Sequence, residues 1–498
     1  MWNLLKYSTI NKILLILVLL VSSCSSDSDS DDVPDTILVQ SILILGEDIT
    51  DGTSSQFTAS ITPVDATNSD VIWTVSDEEV ASISNNGLLT AVDNGSVVVT
   101  ATAVDGSGIF VSKTVQVSGV DDNVDGIIVQ SSEEILLALI NAKAGDAIYI
   151  RGGVYNFSKT ISIEAEGTET DSIFLLAYPT DSERPEFNFS AMSENSSNRG
   201  IQVEGSYWHI KGIDVYGAGD NGMYITGDRN TIEFCTFSEN SDSGLQISGG
   251  GSNNLILNCD SFNNADSGLE DADGFACKLD AGTGNKFVGC RAWQNLDDGW
   301  DGYLRNNDNI TTYYENCWAF KNGYLKDGSA GEGDGNGFKT GGSDSKDLKH
   351  NAIFNNCLAV GNLEKGFDHN SNRGEVEIYN SAGYSNGRNN FNFNNGNNVS
   401  KLTVKNSVSY VTGRESDKFN GQATDITNNS WQNGIQVDNT DFTSLDMDQL
   451  SNSRKADGSL PDITFMHLNA ESDLIDAGVN VGLEFNGSAP DLGAFEFE

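Results

Sequence analysis

Apolar and polar positions alternate in short runs along most of the chain, and only one stretch has the period of a helix. Between residues 36 and 119, runs such as Ser55-Gln56-Phe57-Thr58-Ala59-Ser60-Ile61 and Val97-Val98-Val99-Thr100-Ala101-Thr102 are separated by turn residues. They predict a small sandwich of short strands, with Trp73 and Val80 in its core. The helical exception follows: Ser131-Ser132-Glu133-Glu134 leads into Ile135-Leu136-Leu137-Ala138-Leu139-Ile140, a capped start and an amphipathic face. From Gly145 onward short strands succeed one another, so this helix is expected to cover the open end of a strand stack, where bare edges invite aggregation.

The strand-rich region repeats itself. Cys235, Cys259, Cys290, Cys317 and Cys357, then Ser381, are each followed five positions later by asparagine: Asn240, Asn264, Asn295, Asn322, Asn362 and Asn386. The steps are 24, 31, 27, 40 and 24 residues, which fits one coil of a parallel β-helix plus loops of variable length. Most coils add an aromatic three positions after the Cys or Ser (Phe262, Trp293, Phe320, Tyr384) and an asparagine just before it (Asn258, Asn316, Asn356, Asn380). Equal positions stack in a solenoid, so the asparagines predict an amide ladder at a turn and the small Cys and Ser positions a buried column. The cysteines then read as reduced packing residues, against the disulfide framework that six thiols in an exported chain also suggest. Each coil further carries a glycine before an apolar strand, as in Gly222-Met223-Tyr224-Ile225, Gly244-Leu245-Gln246-Ile247, Gly274-Phe275-Ala276-Cys277, Gly337-Phe338-Lys339 and Gly366-Phe367-Asp368. Outward positions of these strands would align into a groove suited to a polymer. The expected fold is all-β: a sandwich over 36–119, a parallel β-helix with its capping helix over 126–440, and a C-terminal tail or cap over 441–498.

The N-terminus stands outside this pattern. Lys6 and Lys12 precede the apolar run Ile13 to Leu20, about half of what a spanning helix needs, as in a secretory signal. Leu20-Val21-Ser22-Ser23 directly before Cys24 resembles a lipobox, so residues 1–24 are expected to be a lipoprotein signal with Cys24 as lipid anchor. An ordinary cleaved signal with an incidental cysteine is the other reading. Residues 25–35 form a Ser/Asp tether too polar to pack. The expected location is the outer membrane or cell surface, with secretion as the alternative, and the chain is expected to be monomeric and to meet the membrane only through its lipid.

Charge changes the picture of the groove. The chain carries 28 Lys+Arg against 72 Asp+Glu, a net charge of −44, which excludes non-specific nucleic-acid binding. It also disfavours an acidic ligand unless a bound cation inverts the local field. Asp273-Gly274-Phe275-Ala276-Cys277-Lys278 is followed one coil later by Asp297-Asp298-Gly299-Trp300-Asp301. Stacking brings Asp273, Asp297, Asp298 and Asp301 together without basic neighbours, with Asp271 able to substitute for one of them. Clustered hard oxygens suit Ca²⁺; the plainer reading is a solvated Asp/Gly turn. The tract Asp327 to Gly337 lacks EF-hand spacing and reads as a flexible loop at the groove's edge. Lys339 lies on the next coil. Facing a carboxylate-lined cleft it could supply a free amine as base, or it could simply pair with Asp344 or Asp347 at the surface. Arg291, Arg305 and Lys326 are candidates for gripping substrate carboxylates, on proximity alone.

Two resemblances bear on these residues. Residues 36–119 resemble a bacterial Ig-like domain of the second group through Pro63, Ala66-Thr67, Ile72-Trp73, Ser76-Asp77, Val80-Ala81-Ser82-Ile83 and Asn86-Gly87. From about Gly126 to Gly413 the chain resembles the right-handed parallel β-helix pectate lyases of polysaccharide lyase family nine. The segments that carry this are Gly205-Ser206-Tyr207-Trp208-His209-Ile210-Lys211-Gly212, Asp271-Ala272-Asp273-Gly274-Phe275-Ala276, Asp297-Asp298-Gly299-Trp300-Asp301-Gly302-Tyr303 and Gly335-Asn336-Gly337-Phe338-Lys339. The resemblance implies that Asp273, Asp297, Asp298 and Asp301 are calcium ligands, that Lys339 is the base, and that pectate is cleaved by β-elimination.

Other readings make different demands. A polygalacturonase would use Asp297 and Asp298 as acid and base, but the only Asn-Thr-Asp, Asn439-Thr440-Asp441, lies far downstream, and none of the four histidines precedes a glycine. A lyase acting on another uronan such as rhamnogalacturonan, or a non-catalytic carbohydrate-binding or adhesive solenoid, stays open.

Overall fold

The structure, a computed structural model, describes residues 36–497 except 51, 119–123, 395 and 397. The signal segment 1–24 with Cys24, and the tether 25–35, lie outside the described residues. No helix among the described residues is long and apolar enough to cross a membrane. The chain divides into two compact units, Met1–Asp122 and Asn123–Glu498.

Among its described residues the regular elements of the first unit are strands, paired antiparallel in three small sheets. Its core gathers Phe57, Trp73, Leu89, Val97, Val99 and Val115, with Phe57 and Trp73 packed edge to face at 6.2 Å. Val80 is half-buried against this core.

The second unit opens with the predicted helix, Ser132–Asn141. Ser131 Oγ accepts from the Glu134 N–H while the Glu134 carboxylate accepts from the Gln130 N–H, so the cap satisfies one of the helix's free donors and ties down the chain that enters it. Ile135, Ala138 and Leu139 are buried against the first solenoid strands, Ile127–Val129 and Ile161–Ile163.

Beyond it the chain winds as a β-helix of three parallel sheets with 12, 10 and 10 strands among the described residues. The asparagine ladder is present: each amide nitrogen donates to the carbonyl oxygen of the next, Asn264 to Asn295 at 2.8 Å, Asn295 to Asn322 at 3.0 Å and Asn322 to Asn362 at 3.0 Å. The glycine column exists because of this ladder. A Cβ on Gly274 would stand 2.7 Å from Asn295 Nδ2, and one on Gly299 or Gly337 would stand 2.8 Å from Asn322 or Asn362 Nδ2. Asparagines before the cysteines make the left-handed bend between sheets, with φ of 53° at Asn258, 52° at Asn316 and 54° at Asn356, a conformation asparagine tolerates better than most residues. Cys235, Cys259, Cys277, Cys290, Cys317 and Cys357 are all buried free thiols.

The tail is a cover. Phe442, Leu450, Phe465, Met466, Leu468, Leu474 and Leu492 pack on Trp318, Phe320, Leu358, Val360 and Val408, on the outer face of the second sheet. The aromatic column seen in the sequence belongs to this face: Phe262 stacks on Trp293 at 4.3 Å and Trp293 on Phe320 at 5.4 Å.

Candidate active site

The third sheet forms the groove floor. In parallel register Gln246 faces Ala276, Ala276 faces Asp301, Asp301 faces Lys339, Lys339 faces Asp368 and Asp368 faces Asn392. Strand parity turns this column outward, while its neighbours Phe275, Trp300, Phe338, Phe367 and Phe391 stack inside at 5.0, 4.8, 5.1 and 5.1 Å. The aromatic stack thus fixes the height of each outward side chain.

Asp273, Asp297 and Asp298 converge, one carboxylate oxygen of each lying within 4.8 Å of the others. All three are buried. Asp298 Oδ1 accepts from the Asn336 N–H and side-chain amide, both at 2.8 Å, while its Oδ2 is buried without a hydrogen bond. Asp297 accepts from the Asp334 N–H. Asp301 faces the same cavity, its Oδ1 held by the Tyr303 N–H at 3.0 Å.

Lys339 stands in the middle of these acids, only 8% exposed. Its Nζ is 3.1 Å from Asp298 Oδ2, 3.0 Å from Asp334, 3.8 Å from Asp301 and 4.0 Å from Asp297. The surface pairing with Asp344 or Asp347 is therefore not formed; Asp344 instead meets Tyr303 and Arg305. Burial pushes the Asp297 carboxyl up to about 8 and that of Asp273 to about 6, with neighbouring acids adding to the rise. Burial disfavours the Lys339 ammonium, but Asp298, Asp301, Asp297 and Asp334 together outweigh it and hold the amine charged well above its ordinary range.

The cluster does have basic neighbours, contrary to the expectation from sequence. Besides Lys339, Lys278 donates to Asp273 Oδ2 at 2.7 Å and lies 3.7 Å from Asp301. Lys278 and Asp334 are the two site residues that sequence reasoning missed. Lys278 has the signal of outward parity, two positions after Ala276, whereas Asp334 sits in the glycine tract, which has no periodicity. That tract is tied to the site: Glu332 N–H bonds Leu269 O at 2.9 Å, and a Cβ on Gly333 would meet Asp297 Oδ1 at 2.7 Å.

The proposed anion-gripping residues separate. Arg305 lines a cleft of ≈ 420 Å³ that also reaches Lys339, Asp301, Lys278 and Tyr224. Asp271 borders the same cleft but is exposed and outside the converging carboxylates. Lys326 is exposed and paired with Glu239, away from this cleft. Arg291 points to the second sheet's outer face, 3% exposed, where it binds Asp260 at 2.7 and 2.8 Å and the carbonyls of Leu450 and Asn452. It fastens the C-terminal cover and cannot reach a ligand in the groove.

Fold and site together define a groove-bearing right-handed β-helix of the polysaccharide lyase class. The family described as Pel9A-like, right-handed β-helix region, matches residues 113–406, and the bacterial Ig-like domain of group 2 matches residues 48–119. The chain belongs to the Pel9A-like family. Pectate lyase L of Dickeya chrysanthemi is 36% identical over 374 residues, covering 72% of this chain and 84% of that protein. The crystal structure of pectate lyase Pel9A superposes with a TM-score of 0.65 at 37% identity, over 73% of this chain and 90% of that one. A structure described as a rhamnogalacturonan lyase follows at a TM-score of 0.60 and 27% identity, covering 69% and 97%.

Proposed function

We propose that this polysaccharide lyase is a calcium-dependent pectate lyase that cleaves polygalacturonate by β-elimination, with Lys339 as the base. One observation carries the reading: a buried lysine amine sits 3.1 Å from Asp298 in the centre of a carboxylate cluster, on the outward face of a β-helix that superposes on pectate lyase Pel9A.

The residues present fit calcium. Asp273, Asp297 and Asp298 offer hard oxygens within 4.8 Å of one another, Asp298 Oδ2 is buried with no hydrogen bond beyond its 3.1 Å ion pair with Lys339, and among the described residues no thiolate or imidazole joins the set. Asp301, outside that 4.8 Å group but 3.8 Å from Lys339 Nζ, is the fourth ligand of this reading. Bound there, calcium would supply Lewis-acid polarisation of a substrate carboxylate and would reverse the local charge that repels a polyanion.

The chain supplies the rest. Asn336 and the Asp334 N–H hold Asp298 and Asp297 in place. Lys339 is a free amine only when the charge of the surrounding carboxylates is taken up by something else. It then accepts the proton from C5 of the uronate. The C5–H electron pair becomes the C4–C5 double bond, the C4–O bond breaks, and the departing oxygen takes a proton from water. Elimination needs one base, whereas hydrolysis needs a second carboxyl placed to activate water.

Incubation with polygalacturonate, with and without chelator, tests this through the ultraviolet absorbance of the conjugated double bond. Chelator-insensitive release of reducing ends without that absorbance would rule the lyase mechanism out, and no product at all would favour a binding-only solenoid. The 27% identity to the rhamnogalacturonan lyase supports that polymer as the second substrate to assay. Export as a monomeric lipoprotein anchored at Cys24 belongs to the same proposal; fatty-acid labelling lost in Cys24→Ala tests the anchor.

A further inference from the structure

The groove is not electrically uniform along its length. Toward the N-terminal end of the solenoid, the cleft beside the carboxylate cluster is lined by Asp220, Asp242 and Asp271; Lys278 and Arg305 reach it already paired with Asp273 and Asp344, and the cation beside Asp220 is Arg199. That arginine is already committed: its Nε lies 3.4 Å from Asp220 Oδ2, and its guanidinium stacks over the Tyr224 ring at 3.5 Å. Burial and the nearby Asp242 push the Asp220 carboxyl up to about 6, the mark of a place where a further anion is unwelcome.

Toward the C-terminal end the balance differs. Asp368, one coil beyond Lys339, is neutralised by Lys365 at 3.1 Å and accepts a hydrogen bond from the Asn392 amide at 2.6 Å. The outward column continues from Asn392 to Lys418, three coils or about 14 Å from Lys339 at the usual strand spacing. Glu415 accepts from both Arg388 at 2.7 Å and Lys418 at 2.5 Å. Two cations on one carboxylate leave a net positive charge and unused N–H donors, at a half-exposed site in a chain of net charge −44. Arg414 stands on the same side, paired with Glu364.

We propose that an acidic polysaccharide is held asymmetrically, with Arg388 and Lys418 binding sugar carboxylates on the C-terminal side of Lys339 and the acidic N-terminal cleft contributing less. The inference rests on the uronan-lyase reading above and adds which arm of the groove carries affinity. Arg388 and Lys418 are specificity-determining binding residues, removed from the reacting atoms.

Titration of hexagalacturonate into the Lys339→Ala protein with saturating calcium, followed by calorimetry, tests the asymmetry. Adding Arg388→Gln with Lys418→Gln is expected to weaken binding about tenfold at low salt, with the difference shrinking as salt is raised. The charge-preserving pair Arg388→Lys with Lys418→Arg should retain most of the affinity, and unchanged thermal melting shows that the fold is intact. Arg199→Gln is expected to change affinity less than the double variant. Equal binding by the double Gln variant, or a larger loss from Arg199→Gln, overturns the asymmetry while leaving the lyase reading in place. Absence of both hexagalacturonate binding and wild-type turnover of polygalacturonate overturns the two together.

Discussion

Asp298 and Lys339 meet across adjacent coils, carboxylate Oδ2 to ammonium Nζ at 3.1 Å, with the carboxylate buried and otherwise without a hydrogen bond on that oxygen. The lysine thus balances the same carboxylate charge that a bound cation would neutralise. Asp298→Asn keeps the shape and removes the anion, so calcium affinity measured by calorimetry is expected to fall at least about tenfold while the fold persists. An unchanged affinity would take Asp298 out of the site.

Proton binding competes with calcium. The folded metal-free protein holds the carboxyl of Asp297 up at about 8 and that of Asp273 at about 6, chiefly through burial. An acid raised on folding contributes stability that is fully present below its unfolded value, near 3.8, and lost as pH rises through the folded value. The metal-free protein should therefore lose stability from these groups between about pH 4 and 8. The rise in Tm on adding calcium should be larger at pH 9 than at pH 6. A pH-independent rise would show that these carboxyls do not bind the ion.

Gly299 touches both the ladder and the site. A Cβ there would lie 2.6 Å from Gly337 O and 2.8 Å from Asn322 Nδ2, and neither neighbour can move without breaking a coil. Gly299→Ala is expected to cost about 1–3 kcal/mol by denaturant unfolding and to lower kcat, because Asp298 and Trp300 flank the position. Wild-type stability in this variant would mean that the ladder yields more readily than its hydrogen bonds imply.

Much of this architecture was legible because a solenoid stacks equal positions. The columns Asn240 to Asn386 and Cys235 to Cys357 follow from spacing alone, and with them the coil length that brings Asp273 to Asp298 and Asp301 to Lys339. What escaped was non-periodic or non-local. Arg291 lies close in sequence to the acid cluster, yet it faces the second sheet's outer side, where its partners Leu450 and Asn452 are 159 and 161 residues away. Asp334 enters the site from a loop with no repeat, and the C-terminal cover consists of two short 3₁₀ helices, Asn439–Asp441 and Met447–Ser451, and irregular segments whose apolar residues follow no regular period.

That cover is fastened by a buried triad. Asp260 lies between Arg291 and Arg454, 2.7 and 2.6 Å from their guanidinium nitrogens; although burial opposes its charge, the two arginines hold its carboxyl below the ordinary range. Arg454→Met removes one partner of a buried ion and is expected to cost about 3 kcal/mol, read from the urea midpoint. A midpoint equal to wild type would show that the tail adds little to solenoid stability.

The most direct test of the account is Lys339→Ala assayed on polygalacturonate beside a calcium titration of the same protein. The expected result is a fall in kcat/KM of at least about 10²-fold, with melting temperature and calcium binding retained. Turnover close to wild type, with unsaturated product still forming, would contradict the assignment of Lys339 as the base.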